Sequence, residues 1–325
     1  WPISVFDGIN NPEDDEVNYY YPINDLVTGP DIIFFWVSRM IMAGYQFRDN
    51  KPFNNVYFTG IVRDKQRRKM SKSLGNSPDA LKLIDDYSAD GVRVGLMLSS
   101  AAGNDLLFDE SLCDQGKSFS NKIWNSYRLI SSWEVDEKYQ NFEKNSKIIN
   151  WYENNLSHTI NQVNKNLDNF RISDSLMLIY KLIWDDFCSW FLEAIKPEYG
   201  KPISRQYLDK IKKLFLINLE LLHPFMPFIT EELWQKIKDK KEESIMVTSW
   251  PIEKKFDPKI LSHFDRAKKI ISEIRKFRKE KLIKGSTLLN LKFIGSEEKL
   301  PYSEVLKKLG NLESIKSMKS GKDIT

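Results

Sequence analysis

Cysteine is almost absent from these 325 residues: Cys113 and Cys188 are the only two, and neither has a Cys-x-x-Cys partner. That argues against a disulfide framework and leaves no zinc-ribbon spacing. Two reduced, mostly buried thiols in a cytoplasmic protein are expected. Histidine is equally scarce, and His158, His223 and His263 lie at no metal-ligand spacing, so no structural metal is predicted. Long apolar runs are missing too. The longest, Ile32 to Val37, ends at Ser38 and Arg39, far short of the ~20 residues a membrane span needs. There is no secretory signal; the chain opens Trp-Pro-Ile-Ser without Met and closes on Thr325, which reads as an excised fragment. Nor does one sign of charge dominate. Forty-nine Lys and Arg face 45 Asp and Glu, a net +4, so a nucleic-acid surface must come from local clustering.

What is present is core-forming material. Nine Trp, 13 Tyr and 19 Phe argue against disorder, and the length suits two or three domains. Residues 1–30 read as loop and short strand, with a polar acidic surface loop over 10–16. Thr28-Gly29-Pro30-Asp31 then opens a helix through Met42, with Asp31 as cap or as a charge favouring the positive helix end. That helix is apolar almost all round, so it is expected to be buried. The β-branched and aromatic run from Asn55 to Val62 predicts a strand. Ser77-Pro78-Asp79 predicts a helix start with Ser77 as cap, and a second helix is expected over Ala89 to Ser99.

From about residue 110 the periodicity turns helical. Leu112, Phe119, Ile123, Tyr127 and Ile130 form one stripe; Ile148, Tyr152, Leu156, Ile160, Val163 and Leu167 form another. Further helices are expected over Ser173 to Ala194 and Gln206 to Leu222, with a fifth capped by Thr230-Glu231-Glu232, ending at Trp250-Pro251. Next come a basic helix over His263 to Lys284, a strand over Leu288 to Ile294 and a short helix over Tyr302 to Leu309. The fold expected is mainly α: the end of an α/β domain, an antiparallel helix bundle and a small α/β end piece.

The segment that carries chemistry is Arg67-Arg68-Lys69-Met70-Ser71-Lys72-Ser73-Leu74-Gly75-Asn76. Four basic residues fall within six positions, on a loop between a strand and a helix start. Such a loop can fold over a polyphosphate, where ammonium groups meet charge building on oxygens during phosphoryl or adenylyl transfer. A solvated basic loop is the alternative reading of the same residues.

Lys69-Met70-Ser71-Lys72-Ser73 resembles, at all five positions, the signature of the class I aminoacyl-tRNA synthetases. Ser73-Leu74-Gly75-Asn76, Tyr87 to Arg93, Asn121-Lys122-Ile123-Trp124-Asn125 and Leu222 to Trp234 are similar to the Ile/Leu/Val/Met subgroup. Three segments, Gly29 to Ile41, Phe187 to Glu193 and Ile274 to Glu280, look like the valine-activating branch; Pro30 departs from it, standing where many members carry an aromatic residue. An isoleucine-activating chain and a non-catalytic tRNA-binding module are the alternatives.

The resemblance implies ATP, valine and tRNA(Val) as ligands, with Mg2+ accompanying ATP, and a monomer without a membrane. Lys69 and Lys72 would be catalytic, Lys72 the more important; Met70, Ser71 and Ser73 would complete the ATP-binding loop. Trp1, Asp31, Ile32 and Trp36 are candidates for the substrate pocket, though Ile32 and Trp36 could be core and Asp31 only a cap. Lys117, Lys122, Trp124 and Arg128 are candidates for tRNA contact, Trp124 with a core reading beside it. The basic helix after 263 could reach phosphates or be a solvated face. The domains implied are 1–76 (C-terminal remnant of a Rossmann-like α/β catalytic domain), 77–110 (connecting helices), 111–250 (anticodon-binding bundle) and 251–325 (basic helix and small α/β end piece). The family's His-x-Gly-His element is not found around any of the three histidines, and it and the editing domain are expected before residue 1. The isolated chain is therefore expected to be inactive.

Overall fold

The computed structural model describes residues 10–99, 105–137, 142–238, 243–294, 300 and 302–318. It is mostly helical, 62%, with three two-stranded parallel sheets among the described residues. Two compact units emerge: Trp1–Lys117 with Asn166–Ser175, and Ser118–Lys165 with Leu176–Thr325.

The first unit starts with a short helix, α1 (Asp15–Tyr20), inside what reads as a polar loop; Asp14 caps it by accepting from the amides of Glu16 and Val17. Strands β1 (Ile23–Thr28) and β2 (Phe53–Phe58) pair in parallel, Ile23 opposite Phe53 through Thr28 opposite Phe58. Between them run a 3-10 turn (Pro30–Ile32), a π-helical turn (Ile33–Val37) and helix α2 (Ser38–Arg48). The expectation of burial fails here. Phe34, Phe35, Trp36, Met40, Ile41, Met42, Tyr45 and Phe47 are all exposed, and only Val37 and Gly44 are buried. The close approach is at Gly44, where a Cβ would lie 2.6 Å from the Tyr21 hydroxyl and 2.9 Å from the Asn50 carbonyl. The two-stranded sheet that α2 links is too narrow to cover a helix apolar on every side. The predicted single strand over 55–62 is also divided: β3 (Val62–Arg63) pairs instead with β4 (Leu106–Leu107).

Helices α3 (Ala80–Tyr87) and α4 (Ala89–Ser99) follow, with α5 (Glu110–Ser131) after β4. The cap of α3 is Asp79, which accepts from Leu81 and Lys82, so Ser77 and Pro78 lie outside the helix. Leu83, Leu106, Phe108 and Cys113 form the core beside this region, with Val62, Met70, Tyr87, Val92 and Leu96 packed against it. Backbones meet closely where a Cβ on Gly116 would come within 2.6 Å of the Gly91 carbonyl oxygen, so only glycine fits that crossing.

The helical part contains α6 (Phe142–Asp168), then α7 (Ile172–Lys181), which runs through a π-helical stretch (Leu182–Phe191) into α8 (Leu192–Ile195). Helices α9 (Arg205–Leu222) and α10 (Pro227–Ile237) follow. Both predicted stripes point inward: Phe119, Ile123, Tyr152 and Val163 are fully buried. Thr230 does not cap α10. Met226 and Pro227 start that helix, and the Thr230 hydroxyl, one turn in, donates to the Met226 carbonyl at 2.7 Å. Helix α11 (Pro258–Glu280) starts at an Asp257 cap, earlier than periodicity places it. Strand β5 (Leu289–Ile294), α12 (Ser303–Gly310) and β6 (Leu312–Met318) close the chain as a βαβ unit; β6 escapes the sequence reading. Both cysteines are free and buried, and burial pushes the Cys188 thiol up to about 11.

Candidate functional site

Strand β3 is the platform of the basic loop. Its Arg63 bridges antiparallel to Lys69, and the Met70 amide donates to the Val62 carbonyl at 3.2 Å. The chain between turns back tightly: Asp64 N–H donates to Arg68 O at 2.9 Å and Arg67 N–H to Asp64 O at 2.8 Å, with Arg67 at φ 63. Met70 anchors the loop by packing on the Leu83, Leu106, Phe108 and Cys113 core. Lys72–Leu74 forms a 3-10 turn, which the Ser71 hydroxyl caps by accepting from the Leu74 amide at 3.3 Å. The Ser73 hydroxyl lies 3.1 Å from that of Ser71. Gly75 ends the turn at φ 62, in open space, where a side chain would be strained.

Two polar side chains close the loop. Asp64 is buried although it stands beside four basic residues. Its Oδ1 accepts from the amides of Gln66 (3.0 Å) and Arg68 (2.8 Å); its Oδ2 accepts from Arg68 Nε (2.8 Å) and Asn76 Nδ2 (2.9 Å). The Asn76 amide beside it, with Arg68, holds the Asp64 carboxyl down to about 2. Asn76 also donates to the Lys69 carbonyl (3.3 Å) and accepts the Ser71 amide (3.0 Å), so one side chain ties the first and third residues of the signature. Asn76 was read in the sequence as the end of the signature segment, without a role of its own, and Asp64 was not read as part of a site. The available signal was Asp64 at the first position of a turn after a strand, where Asp commonly binds the amide two residues on. An open cleft of ≈ 540 Å³ lies on this side, lined among others by Asp64, Arg68, Met70, Asn76, Phe108 and Glu110.

The structure brings Lys69 and Asp31 together, Nζ to Oδ2 at 3.3 Å. Both side chains are about half exposed or more, 61% and 48%, so the pair is weak and open to exchange with another anion. Asp31 is not the helix cap; Gly29 holds that position without a side-chain bond, and Asp31 lies within the first turn. Ile32 is half-buried and Trp36 is 56% exposed. The backbone of Lys72 lies in the 3-10 turn, its side chain outside the described set, and Trp1 is likewise outside the described residues.

Lys117, in the first unit, donates to the Asp86 carbonyl at 2.6 Å. In the second unit Lys122 sits over the Trp184 ring at 5.4 Å, Trp124 is half-buried at 6.1 Å from Tyr127, and Arg128 is exposed. Two cations of the basic helix α11 turn inward. Lys268 pairs with Asp186 at 2.6 Å, and buried Arg278 donates to the carbonyls of Lys284, Gly310 and Asn311. Amphipathic spacing could not separate these two from the solvated Arg266, Lys269 and Lys276.

A family model described as tRNA synthetases class I (I, L, M and V) matches residues 1–109, and one described as the anticodon-binding domain of tRNA ligase matches 150–293. The valine–tRNA ligase of Christiangramia forsetii is 53% identical over 317 residues, covering 97% of this chain and 36% of that protein. Those of Phocaeicola vulgatus (53% identity, 99% of this chain and 37% of that one) and Thermotoga maritima (40%, 97% and 36%) behave alike. Among solved structures, the ternary complex of Agrobacterium radiobacter K84 agnB2 LeuRS with tRNA and LeuAMS aligns with TM-score 0.58 at 17% identity, over 97% of this chain and 40% of that one. Mycobacterium tuberculosis methionyl-tRNA synthetase with methionyl-adenylate gives 0.53 at 17%, over 71% and 48%. At that identity the likeness is one of fold. The chain belongs to the class I tRNA synthetases of the isoleucine, leucine, methionine and valine group. Within that group it is a homologue of the valine–tRNA ligases, and it spans about 36% of their length.

Proposed function

We propose that the chain works as part of a valine–tRNA ligase, supplying the ATP-binding loop and the tRNA anticodon-binding bundle. The observation that carries the reading is the Lys69–Asn76 loop: pinned by Met70 and Asn76, it leaves the Lys69 ammonium exposed beside Asp31. In the reaction, a valine carboxylate oxygen attacks the α-phosphorus of ATP. The bond to the bridging oxygen breaks and pyrophosphate leaves; the valyl group then passes from the adenylate to a ribose hydroxyl at the tRNA 3′ end, releasing AMP. Lys69 and Lys72 neutralise polyphosphate charge as it builds, with backbone and hydroxyl donors of Met70, Ser71 and Ser73 beside them. Magnesium enters as part of the ATP substrate, its ligands chiefly phosphate oxygens and water.

Asp31, Ile32, Trp36 and Trp1 are assigned to the amino-acid and adenylate side. Exposed Trp36 fits an apolar wall better than it fits core. Lys117, Lys122, Trp124 and Arg128 are assigned to tRNA phosphates and bases. The domain limits proposed are 1–76, 77–110, 111–250 and 251–325, in a cytoplasmic monomer; no helix of the described residues is long and apolar enough to cross a membrane. The test is amino-acid-dependent ATP–pyrophosphate exchange by the full-length protein. Valine should drive it strongly and isoleucine weakly; the reverse order assigns the isoleucine enzyme. Exchange with neither amino acid, alongside tRNA binding, leaves a binding module.

A further inference from the structure

The loop's cations are held in place by something other than themselves. Lys69 is largely exposed and its pair with Asp31 is a surface contact. Yet the backbone carrying it is fixed at both ends by one buried carboxylate and one amide. Asp64 meets four donors with two oxygens, and Asn76 uses all of its amide: Nδ2 to Asp64 and to the Lys69 carbonyl, Oδ1 to the Ser71 amide. We propose that Asp64 and Asn76 are positioning residues, a clasp that presents Lys69 and the Ser71–Ser73 turn to the ATP phosphates without touching them. The inference rests on the loop's reading as a phosphate clamp. A loop held this way enters the reaction with its donors already oriented, so loosening it costs rate more than it costs amino-acid binding.

Asn76→Ala cuts the ties to Lys69 and Ser71 but leaves Asp64 its bonds to Gln66 and Arg68. Asp64→Asn sets an amide against the donors of Arg68 and Asn76. In the exchanged pair, Asp64→Asn with Asn76→Asp, the amide at position 64 donates to the carboxylate at position 76, whose other oxygen still accepts the Ser71 amide. In the full-length protein each single change should lower kcat of valine-dependent exchange about tenfold or more, with KM for valine unmoved. The exchanged pair should recover part of that loss. A single change that leaves kcat within about twofold, or an exchanged pair no better than the worse single change, overturns the clasp.

A second readout needs no activity. Hydrogen–deuterium exchange over residues 69–76 should speed up in Asn76→Ala while helices α9 and α10 keep their protection. Unchanged uptake over that loop overturns the proposal. Absence of exchange activity in the parent protein overturns the functional reading instead and leaves this second test standing.

Discussion

In the second unit Trp151 lies flat on Phe264 at 3.8 Å, Tyr152 stacks on Phe191 at 4.6 Å, and Phe187 on Phe215 at 5.5 Å, all fully buried or nearly so. In the first unit the loop over 64–76 packs Met70 on the core and is held besides by its backbone bonds to β3 and by hydrogen bonds to Asp64 and Asn76. Apolar packing is non-directional and tolerates small changes of angle, which suits a scaffold. Hydrogen bonds to a buried carboxylate fix direction, which suits a loop whose donors must meet developing charge. The difference teaches where each kind of substitution should register: truncations in the second unit as stability, polar exchanges in the loop as rate.

Substitutions can break or sharpen that contrast. The largest effect on folding should come from Trp151→Ala, which removes the face stacked on Phe264; chemical denaturation should show a loss of about 3–5 kcal/mol. Lys268→Met should cost about 2–3 kcal/mol by the same measurement, because it strands the Asp186 carboxylate, which is left with Asn155 alone. Gly116→Ala should cost about 1–2 kcal/mol, because its Cβ would press on the backbone of Gly91. Asp31→Asn should change stability by less than about 0.5 kcal/mol, since the pair with Lys69 is exposed, while shifting KM for ATP. If Asp31→Asn destabilised the protein as much as Trp151→Ala, the contrast between scaffold and loop would be lost.

Acid sharpens the same contrast. Asp64 is held at about 2, below its ordinary 3.8, so its support for the loop is complete above about pH 4 and is lost as pH falls through about 2. Backbone protection over 64–76 should therefore persist through mild acid; loss already near pH 5 would contradict the assigned hydrogen bonds.

The helices were legible in the sequence because repeated apolar positions, such as Ile148 to Leu167, announce a 3.6-residue period over about five turns. The five-residue signature was legible as a motif with Lys69 and Lys72 as its cations, whereas the exposure of Lys69 came from the structure. What escaped has specific causes. Burial of α2 was inferred from composition, but burial depends on what a chain provides to cover a helix. β6, Leu312 to Met318, alternates apolar and polar too weakly to mark a strand beside the clear helix before it. Inward-facing Lys268 and Arg278 look like any other cation on a basic helix until their acceptors are known. The Asp64–Asn76 clasp joins residues twelve apart through a turn whose shape no period encodes.

The central claim is that the ammonium groups of this loop neutralise triphosphate charge during adenylate formation. Its most direct test is valine-dependent ATP–pyrophosphate exchange by the full-length protein carrying Lys69→Met together with Lys72→Met. The account predicts a fall in kcat/KM of about a hundredfold or more, with tRNA binding retained. Exchange at the parent rate would contradict it.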